Sequence, residues 1–366
     1  VYLDRRMLAN IDWRIAGTAL ALIGVGILTI WSANLGSPSA PKQTLYLRQT
    51  LYAVVALLGL LTATFINYRT VARFAYPIFG VAFALLLLVS LAGEVGRGAQ
   101  RWIRIGAWTL QPSEFMKLAL IVVLARYFED HKERLGHPRL LVIPAMVALP
   151  PMLLVLKQPD LGTAVLLGLL TLSVLLLVGL RMKHLLFLAA AAAAMAPVFW
   201  SFLKDYQRRR VLVFLSPELD PSGAGYHIAQ SKIAVGSGEL FGKGLKAASQ
   251  SQLHFLPSSQ TDFILAVLAE QWGFIGCLVI LLLYYVLITR GLEIARESKD
   301  IFGALLAFGI MAMITTQLVV NVGMVVGLMP VVGIPLPLLS YGGSSLVVTC
   351  VGIGLVMSVH MRRFLY

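Results

Sequence analysis

Four stretches of polar sequence stand where long apolar runs begin: Gln111-Pro112-Ser113-Glu114, Gln158-Pro159-Asp160-Leu161-Gly162-Thr163, Ser259-Gln260-Thr261-Asp262 and Ser340-Tyr341-Gly342-Gly343-Ser344-Ser345. Singly, each reads as a helix cap, because Ser, Thr and Asp side chains satisfy orphan amides and Pro suits the first turn. Gathered on one face, the same starts would aim several partial positive charges at one place and make an anion site. Arg97, Arg101 and Arg104 precede the first stretch, and Lys204, Arg208, Arg209, Arg210, Lys232, Lys243 and Lys246 precede the third. Guanidinium and ammonium groups beside helix starts suit a phosphate ligand, while contact with lipid or solvent is the competing reading.

Asp262 is the strongest candidate for chemistry. It lies where a long polar segment meets an apolar run, so partial desolvation can lift its pKa toward the range useful to a base. Capping is its rival role. Glu114 and Lys117 are three residues apart and share a helix face, either as a structural ion pair or as part of a substrate cavity. Asp160 caps or lines that cavity, and Glu270, eight residues beyond Asp262, faces a similar way and bonds another helix. His131, His137, His227, His254 and His360 lack zinc-like spacing, and Cys277 and Cys350 lie inside apolar runs as small hydrophobes.

The elements that must position these residues are membrane helices. Of the chain, 58% is hydrophobic and only 13% charged, more apolar surface than a soluble fold can bury. Spanning runs fall at about 13–33, 46–66, 71–92, 112–128, 138–156, 162–180, 184–203, 263–289, 301–328 and 343–360. The expectation is an all-α polytopic integral membrane protein of about ten transmembrane helices, forming one domain over 1–366, with a large extracytoplasmic loop, 204–261, between helices 7 and 8. Asp4, Arg5 and Arg6 precede a run without a cleavage signature, which reads as a retained first helix.

The basic residues orient the chain. With both termini cytoplasmic, the inner segments carry Arg14, Arg69, Arg73, Arg126, Lys132, Arg181, Lys183, Arg290, Arg296, Arg362 and Arg363, while the short outer segments 34–45 and 157–161 carry only Lys42 and Lys157. The formal charge of +13 is thereby assigned to membrane lipid and topology, with no nucleic-acid partner. In this orientation all four polar helix starts face outward.

At these residues the chain resembles the SEDS family of peptidoglycan glycosyltransferases, over nearly its whole length. The matching stretches, in order, are Arg101 to Lys117 (RWIRIGAWTLQPSEFMK), Gln158 to Thr163 (QPDLGT), Pro217 to Gly244, Phe255 to Glu270 (FLPSSQTDFILAVLAE) and Gly333 to Ser345 (GIPLPLLSYGGSS). The YHIAQSKIAVGSG and GIPLP spellings are similar to the cell-elongation branch more than to the division branch.

The resemblance implies transfer of a disaccharide-pentapeptide from a polyprenyl-pyrophosphate carrier, lipid II or the nascent glycan strand, onto a sugar hydroxyl of another lipid II. It implies Asp262 as the essential acid, acting as base or orienting a divalent cation, Mg or Mn, with no organic cofactor. Substrate contacts are expected from Arg101, Arg104, Glu114, Lys117, Asp160, Arg210, Thr261 and Ser344. Implied partners are a class B penicillin-binding protein transpeptidase and other elongation-complex proteins, at the bacterial cytoplasmic (inner) membrane. Ser258 and Gln271 depart from the family, which commonly has Glu at both places. Two rival readings are a flippase for lipid-linked precursors and a non-catalytic scaffold of the cell-wall complex.

Overall fold

The computed structural model describes residues 11–35, 44–92, 94–96, 99–106, 108–134, 142–179, 223–245 and 258–363, with scattered positions at 140, 183–220 and 256. Helices dominate: α1 (Trp13–Ala33), α2 (Leu45–Phe65), α3 (Tyr68–Arg73), α4 (Ala75–Ala92), α5 (Pro112–Asp130), α6 (Val142–Lys157), α7 (Leu161–Val178), α8 (Ala224–Ser237), α9 (Ile264–Glu297), α10 (Ile301–Val325) and α11 (Gly343–Met361). Among the described residues six of these, α1, α2, α7, α9, α10 and α11, are long and apolar enough to cross a bilayer. Ala75–Leu91 and Val142–Lys157 are shorter apolar helices. The expected span at 184–203 lies outside the described residues save for isolated positions.

Helix α5 differs from the expected apolar span in composition. It carries Glu114, Lys117, Arg126, Glu129 and Asp130, yet most of it is buried at the centre of the bundle. Its charges are matched locally: Glu114 with Lys117, and Arg126 with Glu129 and Asp130. Pairing of this kind is what lets an ionised side chain sit inside a membrane protein. Helices pack here without a hydrophobic drive from lipid, so close backbone approach matters. Helices α2 and α11 show it, since a Cβ on Gly354 would come within 2.5 Å of nothing but the Leu60 carbonyl oxygen, at 2.4 Å.

The basic segment before α5 is not irregular. It forms a small antiparallel sheet, β1 (Glu94–Gly96), β2 (Ala99–Ile105) and β3 (Trp108–Leu110), in the order β1-β2-β3. Along β2 successive residues point to opposite faces, which places Arg101 with Ile103 and Trp102 with Arg104, so each face mixes charge and apolar surface. Arg104 pairs in register with Thr109.

Helix α9 is broken at Gly273, which has φ 67° and ψ −163°. The backbone groups freed at the break are taken up by the segment after α8: Lys243 and Gly244 amides donate to the Glu270 and Gln271 carbonyls at 2.9 and 3.0 Å, and Phe274 and Ile275 amides donate to Glu239 and Leu240 at 2.9 and 3.1 Å. Part of the expected loop 204–261 is thus a helix and a strap packed on α9. Irregular backbone inside a membrane protein is tolerated when protein satisfies it in this way.

Polar end groups fix where helices start. Asp12 caps α1 by accepting from the Arg14 and Ile15 amides, Asn67 caps α3, and Asp300 caps α10 through Gly303. At that end Asp12 also accepts from Arg290 Nε at 2.6 Å, Arg69 reaches Glu129 and Asp300, and Arg362 donates to the Thr64 and Phe65 carbonyls that end α2. Burial alone would raise the Asp12 carboxyl, but the Arg290 bond, the Ile15 amide and the nearby cations outweigh it and hold Asp12 below the ordinary carboxylate value.

Candidate active site

The opposite end of the bundle carries the starts of α5, α7, α9 and α11, the four polar stretches. Residues 258–263 and 331–342 meet there as two crossing loops. The Tyr341 amide donates to the Gln260 carbonyl at 2.9 Å, and the Ser340 hydroxyl donates to the Thr261 carbonyl at 2.6 Å while accepting from the Leu336 amide. Gln49, buried on α2, donates to the Ser340 carbonyl and accepts from the Gly342 amide. Gln260 donates in turn to Asn34. Every loop is therefore tied to another loop or to a helix.

Asp262 is half-buried in this knot. The helix behind it begins at Ile264, with Phe263 as cap residue and no cap bond from the Phe263 side chain. Its Oδ2 lies 3.6 Å from the place a Cβ on Gly333 would occupy. Gly333 has φ 75°, a conformation that only glycine takes without strain. Asn321 of α10 donates to the Asp262 carbonyl at 2.8 Å and to the Ile334 carbonyl at 2.8 Å.

A second group lies beside it. Asp160 caps α7 through the Thr163 amide, and its other oxygen is 3.6 Å from Arg101. Arg101 also donates to the Gln158 and Pro159 carbonyls. The link between the groups is Gly162, whose Cβ would fall 2.5 Å from the Val332 carbonyl oxygen, next to Gly333. Arg101 is thus occupied as a clamp on the Gln158–Asp160 corner.

The third group is on α5. Lys117 Nζ and Glu114 Oε2 are 2.7 Å apart with both side chains nearly inaccessible. Ser344, at the start of α11, accepts from the Gln111 amide at 3.0 Å and donates to the Thr109 carbonyl at 3.2 Å, joining α11 to β3 and to the start of α5. Thr261 donates to the Ser258 carbonyl. Arg104 is exposed on β2. Arg210 lies outside the described residues.

Sequence reasoning missed Asn321, Gln49, Ser340 as a bridge, and His227. The His227 ring on α8 stacks on Phe263, the neighbour of Asp262, with centroids 6.1 Å apart and planes 18° apart. Burial lowers its pKa, with Asp220 acting the other way, so it is held neutral more firmly than a free imidazole. Tyr341 is pushed up to about 12, first by burial and then by neighbouring Tyr52, and stays a protonated donor. Of the two departures from the family, Gln271 has an evident structural partner, accepting from Ser32 at 2.7 Å. Among the described residues no three His, Cys, Asp or Glu side chains gather as a metal centre.

The charges here largely cancel in pairs: Arg101 against Asp160, and Lys117 against Glu114. The same end of the bundle also holds the Asp262 carboxylate, Arg104 and the starts of four helices. Such an arrangement suits an anionic leaving group beside a carboxylate base.

A fold of this kind, with a polar site at one end of an apolar helix bundle, is that of a multi-pass membrane protein. The FtsW/RodA/SpoVE cell cycle protein family matches residues 13–364, and the chain belongs to that family. It is 43% identical over 347 residues to the peptidoglycan glycosyltransferase MrdB of Escherichia coli K12, covering 94% of this chain and 92% of that one. It is 36% identical over 346 residues to stage V sporulation protein E of Bacillus subtilis, covering 93% and 94%. Among solved structures, the rod shape determining protein RodA of Thermus thermophilus superposes with a TM-score of 0.72 at 31% identity over 97% of this chain and 98% of that one. A chain of a peptidoglycan synthase complex that coordinates polymerization and crosslinking superposes with a TM-score of 0.82 at 33% identity, again over 97% and 98%. The chain is a peptidoglycan glycosyltransferase.

Proposed function

We propose that this glycosyltransferase polymerises lipid II into glycan strands at the outer face of the bacterial cytoplasmic membrane during cell elongation, with Asp262 at its centre. One observation carries the assignment: the Asp262 carboxylate sits over Gly333 where two cross-tied loops meet, at the end of the bundle to which four helix starts converge. Asp262 takes the proton from the acceptor sugar hydroxyl as its oxygen attacks the anomeric carbon of the donor. The bond to the pyrophosphate carrier breaks on the opposite side, and configuration inverts. The developing negative charge on the departing pyrophosphate is met by the helix N-termini and Arg104.

A divalent cation, Mg or Mn, fits this donor set as an ion held by Asp262 together with the substrate's own phosphates, since such ions commonly take one or two protein carboxylates. It would neutralise pyrophosphate charge. Glu114, Lys117, Asp160, Arg101, Thr261 and Ser344 shape the walls and hold the loops in register.

The topology belongs to the same reading: a single domain of about ten spans, both termini cytoplasmic, and 204–261 outside. It is supported by the positions of Arg14, Arg69, Arg126, Arg290 and Arg362, which all lie toward the end of the bundle away from Asp262. A class B penicillin-binding protein is the proposed partner, supported by the likeness to a chain of a synthase complex that couples polymerization to crosslinking. Elongation rather than division is favoured by the likeness to MrdB and RodA.

The test is purified chain in liposomes, given lipid II and read as glycan chains on a gel. Asp262→Asn, correctly inserted, is expected to lose polymerisation. Product at near the parental rate would overturn the assignment, and translocation of lipid II without polymer would favour a flippase.

A further inference from the structure

We propose that Asn321 is the positioning residue for Asp262, acting through the backbone of two loops. The proposal rests on the catalytic reading of Asp262 given above. Asn321 is fully buried on α10, four residues before the helix ends at Val325. Its amide nitrogen makes two hydrogen bonds of 2.8 Å, to the carbonyls of Asp262 and Ile334. Both partners are acceptors, so only the NH2 half of the side chain can face them. The donor capacity is used in full, while Oδ1 is buried without a hydrogen-bond partner among the described residues.

That asymmetry marks the side chain as a bridge. The unsatisfied Oδ1 costs on the order of 1–3 kcal/mol, which the two bonds to loop carbonyls offset. What the amide supplies is a fixed distance between two carbonyls on different segments of chain. One belongs to Asp262 itself. The other belongs to the residue after Gly333, over which the Asp262 carboxylate lies. The amide therefore sets where the carboxylate stands relative to the glycine face, and it does so from a rigid helix.

Other ties join the same loops at neighbouring residues: Ser340 holds Thr261, and the Tyr341 amide holds the Gln260 carbonyl. Without Asn321 these ties stay, while the bridge between the Asp262 and Ile334 carbonyls is lost. Catalysis then falls with the fold retained, because misplacement of a reacting group by even about 1 Å can cost on the order of 100-fold.

The chain offers its own control. Gln317, one turn earlier on α10, is also buried, and neither amide atom has a hydrogen-bond partner among the described residues. Replacing it by Leu removes a buried amide from the same helix without touching Asp262.

The experiment compares Asn321→Leu, Asn321→Ser, Gln317→Leu and Asp262→Asn in the full chain in liposomes, with thermal unfolding, lipid II kinetics and pH profiles for each. For Asn321→Leu we expect kcat to fall on the order of 100-fold, KM for lipid II to hold within about threefold, and the acid limb of the kcat/KM profile to move. Asn321→Ser, which retains a donor, recovers part of the rate, and Gln317→Leu keeps the parental rate and profile. Equal losses in Asn321→Leu and Gln317→Leu, or a loss confined to KM or to thermal stability, would overturn the proposal. Asp262→Asn at the parental rate would sink the catalytic reading beneath it; parental rate in Asn321→Leu with Asp262→Asn inactive would sink the positioning role alone.

Discussion

Arg101 Nη1 stands 3.6 Å from Asp160 Oδ2, and the same guanidinium covers the Gln158 and Pro159 carbonyls. One side chain thereby closes a corner whose other side touches the loop under Asp262. The fork of the guanidinium is what permits several acceptors at once, which an ammonium cannot match in geometry. Arg101→Lys should therefore behave nearly as badly as Arg101→Gln, with activity down about tenfold or more, since charge-assisted bonds of this kind are worth roughly 1.5–3 kcal/mol. Because the two residues act as a unit, Arg101→Gln added to Asp160→Asn should cost little beyond either alone. Glycan synthesis by the two singles and the double checks this; additive losses would separate the residues.

The buried pair on α5 is read differently by single and double substitution. Glu114 and Lys117 are 2.7 Å apart and almost inaccessible. Removing one partner leaves the other as an uncompensated charge, at a cost of roughly 3–5 kcal/mol, whereas replacing both with neutral groups of similar volume is far milder. Glu114→Gln and Lys117→Met should each lower the unfolding midpoint in detergent more than the double variant does. If the double variant is stable yet inactive, the pair also shapes the substrate cavity; if it is stable and active, the pair is structural only.

His227 gives the site a pH dependence of predictable sign. Burial depresses its pKa below the ordinary 6.5, so the docked α8 binds fewer protons than the undocked segment once pH falls below that value. Stability of the docked form is full above 6.5 and declines as pH falls through that window toward the depressed value. Hydrogen exchange over 224–237 should accelerate in this range, and His227→Phe, which preserves the stack on Phe263, should flatten the response. An unchanged pH dependence in that variant would place the titrating group elsewhere.

The polar helix starts were legible in part because capping is local: Asp160 caps α7 and Pro112 takes the first turn of α5 as their types suggested, whereas Ser344 reaches across to Thr109 and Gln111 and does not cap α11. The joint motifs indicated the family. The charge clusters were legible only as positions. Sequence spacing paired Glu114 with Lys117, three residues apart, yet could not pair Arg101 with Asp160, whose contact spans fifty-nine residues. Asn321 had no local signal, being one of two amides, with Gln317, inside an apolar helix, and its meaning comes from two carbonyls brought to it by different loops. The sheet at 94–110 has no signal in the sequence, because three strands of three to seven residues are too short to show a period. The break in α9 was hidden for the opposite reason, since apolar residues resume at once after Glu270 and Gln271 and the whole reads as one span.

That break carries the last prediction. A Cβ on Gly273 would stand 2.4 Å from the Gly242 amide nitrogen and 2.6 Å from the Leu240 carbonyl, and its φ of 67° disfavours any other residue. Gly273→Ala must therefore either strain the backbone, at about 1–3 kcal/mol, or expel the strap at 239–245 that satisfies the break. Once expelled, the strap frees the carbonyls of Glu270 and Gln271, and the helix can regularise only by moving Asp262 relative to Gly333. Gly17→Ala is the matching control, because a Cβ at Gly17 meets nothing within 4 Å and alanine is the better helix former. Protease or exchange mapping should show the strap released in Gly273→Ala and unchanged in Gly17→Ala, with glycan synthesis lost only in the former. A strap that stays protected while synthesis is normal would mean that the break is incidental to the placement of Asp262.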